Sequence, residues 1–160
     1  TALELLWMPL LFVEELAPPG AALRQLRSAF LSKHLHFRYR GFVESQRQRM
    51  VQDGRSAHGH NIPAGEPYDY KAACHALRLC VQGARLLEIW MLPVDISVRP
   101  EYSIIQGVRQ GELTLGAFLA HLDDLRARLD SAFVATTLPE EPDRERVHEW
   151  LIATREAGDA

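Results

Sequence analysis

The stretch from Tyr68 to Trp90 constrains this chain most, because at helical spacing its apolar residues leave only one narrow polar line. Lys71, His75, Arg78, Gln82 and Arg85 recur at steps of four and three and so fall on one helix face. Ala72, Ala76, Leu79 and Leu86 flank that line on one side, and Ala73, Leu77, Cys80 and Ala84 on the other. A helix that is apolar over most of its circumference has to be surrounded by other elements. Pro93 ends it, since proline cannot continue the ladder of hydrogen bonds.

The rest of the chain supplies helices to surround it. Thr1 and Glu4 form a capping-box pattern that predicts a short helix from Ala2 to Trp7. Pro18 and Pro19 lead into a second at about Gly20 to Leu31. A third, His34 to Gln52, carries Leu35, Tyr39, Phe42, Val43 and Met50 on one face, with Gln46 among them. Gly54 to Pro67 holds three Gly, two Pro and the pair His58/His60, which is loop chemistry. Asp95 to Val98 reads as one short strand. Pro100 opens a helix that stops at Gly111, and Leu115, Phe118, Leu119, Leu122, Leu125 and Leu129 make an amphipathic stripe after it. Leu138 to Asp143 is a proline-rich turn before a last helix from Arg144 to Ala157, seated by Val147, Trp150 and Leu151. The expected fold is all-α, an irregular bundle of about six helices with a long central helix. With 160 residues, 47% of them hydrophobic and 24% charged, the chain can bury one ordinary core.

Charge and cysteine narrow the surroundings. The net charge of -3 is unevenly spread: Arg24 to Arg55 holds eight Lys or Arg against two acids, whereas Glu112 to Glu149 holds nine acids against four Arg. Arg38, Arg40, Arg47 and Arg49 with Lys33 therefore read either as a solvated helix or as a surface for nucleic-acid phosphate. Cys74 and Cys80, six apart on one helix, point to opposite sides and are expected as reduced thiols in a cytoplasmic protein. The apolar run Leu3 to Val13, broken by Glu4 and Pro9, is far short of a membrane span.

The line from Lys71 to Arg85 has two readings. One is the solvated stripe of a packed helix, and the other is a wall of cations facing a polyanion such as a triphosphate. His58 and His60 with Asn61 lack the further ligands of a zinc site. Arg27 and His34 stand at a spacing that resembles the helical HEPN ribonucleases, although Ser28 replaces the polar residue expected beside that Arg. No Gly-Ser followed by an Asp-x-Asp pair occurs, and no phosphate-cradling Gly-rich loop. Two-metal phosphoryl transfer needs clustered carboxylates that this sequence does not display.

Residue identity then adds to pattern. Asp69-Tyr-Lys-Ala-Ala-Cys-His-Ala-Leu-Arg-Leu79, followed by Gly83, resembles the central helix of predicted bacterial and phage nucleotidyltransferases of the RNA-repair-pathway DNA polymerase beta type. Ala2 to Trp7, Phe30 to Lys33, Gly41 to Gln46, Arg99-Pro100, Arg109 to Glu112 and Leu138 to Asp143 are similar to that family in the same order. The resemblance implies that a polymerase-beta-type half with a Gly-Ser turn and metal-binding acids would precede Ala2, so that this chain begins where the catalytic half would end. It further implies a nucleoside triphosphate and Mg²⁺ in the complete protein, with Lys71, His75 and Arg78 facing the triphosphate, joined by Lys33 and Gln46. Cys74, where such helices carry a larger apolar residue, and the Gly/His-rich insert are departures from the family pattern.

Overall fold

The computed structural model describes residues 5–13, 17–51 and 68–158. Within them the chain forms α1 (Pro18–Gln25), α2 (His34–Val51), α3 (Tyr70–Ile89), α4 (Tyr102–Arg109), α5 (Leu115–Ala135) and α6 (Arg144–Gly158), with 3₁₀ turns at Leu10–Phe12 and Arg27–Phe30. No strand occurs among the described residues, and the bundle is irregular and all-α around α3.

Local chemistry sets the helix ends. Asp69 starts α3, its Oδ1 accepting the Ala72 N–H at 2.9 Å, and Thr114 starts α5 by accepting from Ala117 at 3.2 Å. Gly111, at φ 72, stops the segment after α4 in a backbone region where other side chains are strained. The second helix starts two residues earlier than its sequence pattern indicates, because proline pre-sets the first turn. It also breaks in two. The Leu26 N–H is shared between the carbonyls of Ala22 and Leu23, which tightens α1 into the 3₁₀ turn at Arg27–Phe30.

Burial of α3 accounts for the architecture. Ala73, Ala76, Leu77, Cys80 and Leu86 have no exposed surface, and α2, α4 and α5 all pack against the helix. Val43 and Met50 of α2 share a cluster with Tyr68, Ala72 and Phe118, whereas Leu35 and Tyr39 pack with Ala84, Leu86 and Leu87. The two helices are therefore antiparallel. They meet most closely at Gly83, where an added Cβ would lie 2.8 Å from Tyr39 Cγ.

The expected strand at 95–98 is absent. Asp95 Oδ1 accepts the Ser97 N–H at 2.8 Å and Arg99 N–H donates to Ile96 at 3.0 Å, so local side-chain and turn bonds hold the backbone that a strand would offer to a neighbour. Of the predicted Ala2–Trp7 helix only the end is described, with Leu6 and Trp7 buried. The whole loop Gly54–Pro67, with His58 and His60, lies outside the described residues, as do Thr1 and Glu4. No described helix is long and apolar enough to cross a membrane.

Candidate functional site

The polar line on α3 is shorter than its spacing indicates. Lys71 and His75 are exposed and Arg78 is half-buried, but Gln82 is only 3% exposed. Its Nε2 donates to the Pro93 carbonyl at 3.0 Å, because the chain leaving α3 folds back across the helix at that level. Gln82 is thus a satisfied core amide and not part of a ligand-facing row. Arg85 lies beyond this crossing, half-buried. The accessible part of the line runs from Lys71 to Arg78, about 10 Å along the axis at the usual helical rise.

That face begins on the first turn of α3, at the positive end of the helix, and runs into the third. The Asp69 carboxylate is buried and takes up the Ala72 N–H as a cap. Beside it, Tyr68 donates its hydroxyl to the Leu113 carbonyl at 2.9 Å, and burial pushes its ionisation up to about 12. This bond and the edge-on contact of Tyr68 with Tyr70, 4.9 Å between centroids, fix the entry to α3 against the α4–α5 connection.

A further cation joins this end of the helix. Cys74 is half-buried, with Sγ 3.6 Å from the Ile105 carbonyl of α4. Burial raises its thiol, and the nearby charge of Arg109 opposes that rise. Arg109, exposed at the end of α4 one helical turn beyond Ile105, therefore lies within electrostatic reach of Cys74 at the edge of the cationic face. Sequence spacing within α3 gives no hint of it. The available signal is that α4 is amphipathic and ends in Arg109, so an apolar face laid on α3 carries that arginine to the rim.

Lys33 and Gln46 are placed elsewhere. Lys33 binds the proline-rich turn twice, through Nζ to Glu140 and through its N–H to the Pro139 carbonyl at 2.8 Å. It precedes α2, whose start packs at the level of Leu87, and Lys71 lies about 24 Å down the α3 axis from that level. One triphosphate does not bridge the two. Gln46 is half-buried on the face that carries Val43 and Met50, between the ends of α2.

The acidic late helices complement the basic early segment within the molecule. His34 reaches Glu141 at 3.0 Å, His36 Nε2 lies 2.7 Å from Asp130 Oδ1, and Arg40 donates to both Asp130 oxygens at 3.0 Å. Arg126 of α5 reaches Glu44 at 3.4 Å. Lys33 and Arg40 of the basic segment thus spend their charge on joining the start of α2 to α5 and to the 138–143 turn. Arg27 lies over the Trp7 ring at 6.0 Å while His34 faces Glu141, so the pair with ribonuclease-like spacing engages separate partners. Among the described residues no three of His, Cys, Asp or Glu converge as metal ligands, so these residues do not fit a Mg²⁺ site.

Comparison with protein families matches residues 1–153 to the RNA repair pathway DNA polymerase beta family. No curated protein and no solved structure matches the chain.

Proposed function

Because the chain belongs to the RNA repair pathway DNA polymerase beta family, a family of the nucleotidyltransferase type, we propose that it forms the phosphate-binding helical side of a nucleotidyltransferase cleft. One observation carries this reading: the largely buried central helix presents Lys71, His75 and Arg78 along one side of its first three turns, with Arg109 within electrostatic reach of that side.

In this proposal the reaction transfers a nucleoside monophosphate from a triphosphate to an acceptor. Charge moves onto the leaving phosphates as the bond to the α-phosphorus breaks. Lys71 supplies a compact positive charge there, and the guanidinium groups of Arg78 and Arg109 supply paired N–H donors that match phosphate oxygens. His75 donates a hydrogen bond to phosphate or to the acceptor. Fixed donors of this kind lower the barrier without reorganising during the step. Mg²⁺ would supply charge neutralisation when bound, held by carboxylates of the polymerase-beta-type half that the family resemblance implies. The chain of 160 residues alone is then expected to bind triphosphate without transferring it.

A fluorescent nucleoside triphosphate titrated onto the chain tests this. Charge-assisted hydrogen bonds are each worth about 1.5–3 kcal/mol, so Lys71→Ala and Arg78→Ala should each weaken binding by roughly 10- to 100-fold. Lys33→Ala should not. Equal affinity across all three variants removes α3 from the site.

A further inference from the structure

The exit of α3 carries an uncommon backbone conformation. Trp90 stands at φ 59, ψ 27, and is the only described non-glycine residue with positive φ. Helices commonly end on glycine or asparagine in this left-handed conformation, which a bulky side chain enters at a cost. Trp90 nevertheless keeps 42% of its surface exposed, and its neighbours Ile89 and Met91 keep 47% and 51%. By helical spacing Ile89 continues the line of Lys71, Arg78 and Arg85. The acid at this end, Glu88, is held by two N–H groups of Arg128, both at 2.8 Å, so its charge is taken up within the fold.

We propose that Trp90, with Ile89 and Met91 beside it, is a stacking platform for a base of a single-stranded nucleic acid whose phosphates approach the cations of α3. This rests on the reading of α3 as the phosphate side of the site, and it names the acceptor class. Single-strand sites pair cations that follow the backbone with an aromatic surface that receives a base. Trp90 lies about 18 Å along the axis from Arg78, on the far side of the Pro93 crossing at Gln82 and on the same side as Arg85, a distance that a few nucleotides span by passing over that crossing. A helix C-terminus repels phosphate but not a neutral base, so stacking is the chemistry that this end of α3 allows.

The test uses short fluorescein-labelled oligo(dT) and oligo(U) with the full chain at low salt, followed by anisotropy. Base stacking on an aromatic side chain is worth about 1–3 kcal/mol, so Trp90→Ala should weaken binding roughly 5- to 150-fold, with Trp90→Phe retaining most of it. Trp90→Asn suits the left-handed backbone and should fold at least as well as the parent, yet lose the same affinity. Affinity for nucleoside triphosphate, measured in the same proteins, should not change. If triphosphate binding proves independent of Lys71 and Arg78 while oligonucleotide binding still depends on Trp90, the cleft reading fails and the platform stands. The platform is overturned if the parent binds neither oligonucleotide, or if Trp90→Ala and Trp90→Asn bind as the parent does. It is also overturned if these variants change only self-association in light scattering, which would make the patch a protein contact. Tighter binding of oligo(U) than oligo(dT) would identify RNA as the strand, and the reverse DNA.

Discussion

Replacing Gly83 with alanine perturbs the point where three helices meet. The new Cβ would stand 2.8 Å from Tyr39 Cγ, 3.0 Å from Tyr39 Cβ and 3.0 Å from Leu129 Cδ1. The leucine methyl can turn aside. The tyrosine atoms cannot, because they lie at the root of the side chain, and moving them moves α2. Overpacking of this kind costs about 1–3 kcal/mol, against about 1 kcal/mol gained from the better helix propensity of alanine. The net expectation is a loss of up to about 2 kcal/mol, or a fall in Tm of up to about 8 °C for a chain of this size. Gly41→Ala is the matched control, since Gly41 lies within α2, is exposed and has nothing within 4 Å of its added Cβ. It should gain about 0.5–1 kcal/mol. Urea denaturation of both variants separates the terms. If Gly83→Ala stabilises as much as Gly41→Ala, the close crossing of α2 over α3 is wrong, and the face on which Lys71 and Arg78 are placed is wrong with it.

Thiol chemistry tests where Arg109 lies. Burial pushes Cys80 up to about 12, so a maleimide at mildly alkaline pH should label Cys74 in the native chain and Cys80 only after unfolding. Arg109→Ala should slow the Cys74 reaction, and an unchanged rate would detach Arg109 from the cationic face. Acid should act through Glu88, whose carboxyl the Arg128 hydrogen bonds hold below its ordinary 4.5. Its contribution is present above that value and is lost as pH falls through the lower folded value, so Glu88→Gln should lower stability at neutral pH and flatten the acid limb of a pH–stability curve. Arg128→Ala leaves both Glu88 and Glu101 without their shared partner and should cost about 1–3 kcal/mol by urea denaturation.

Periodicity made the long helices legible because each has one dominant environment. The spacing of apolar residues in α3 and α5 corresponds to their burial, and α2 ends within a residue of its expected limit. What spacing could not show depends on other parts of the chain. Gln82 looks like its neighbours Arg78 and Arg85 until Pro93 is folded over it. Lys33 looks like one more cation until the acidic turn at 139–141 is brought to it. Arg109 belongs to another helix altogether. The resemblance quoted for Asp69 to Leu79 and Gly83 has a physical counterpart at both ends: Asp69 caps α3, and Gly83 allows the closest approach of α2.

The central claim is that the first turns of α3 hold phosphate. A ¹⁵N-labelled chain titrated with a non-hydrolysable nucleoside triphosphate reports this residue by residue in backbone amide shifts. The account expects the largest shifts at Lys71, Cys74, His75, Arg78 and Arg109, reduced in Lys71→Ala and Arg78→Ala. Shifts centred on α2 or on the turn holding Lys33, or none at saturating triphosphate, would contradict it.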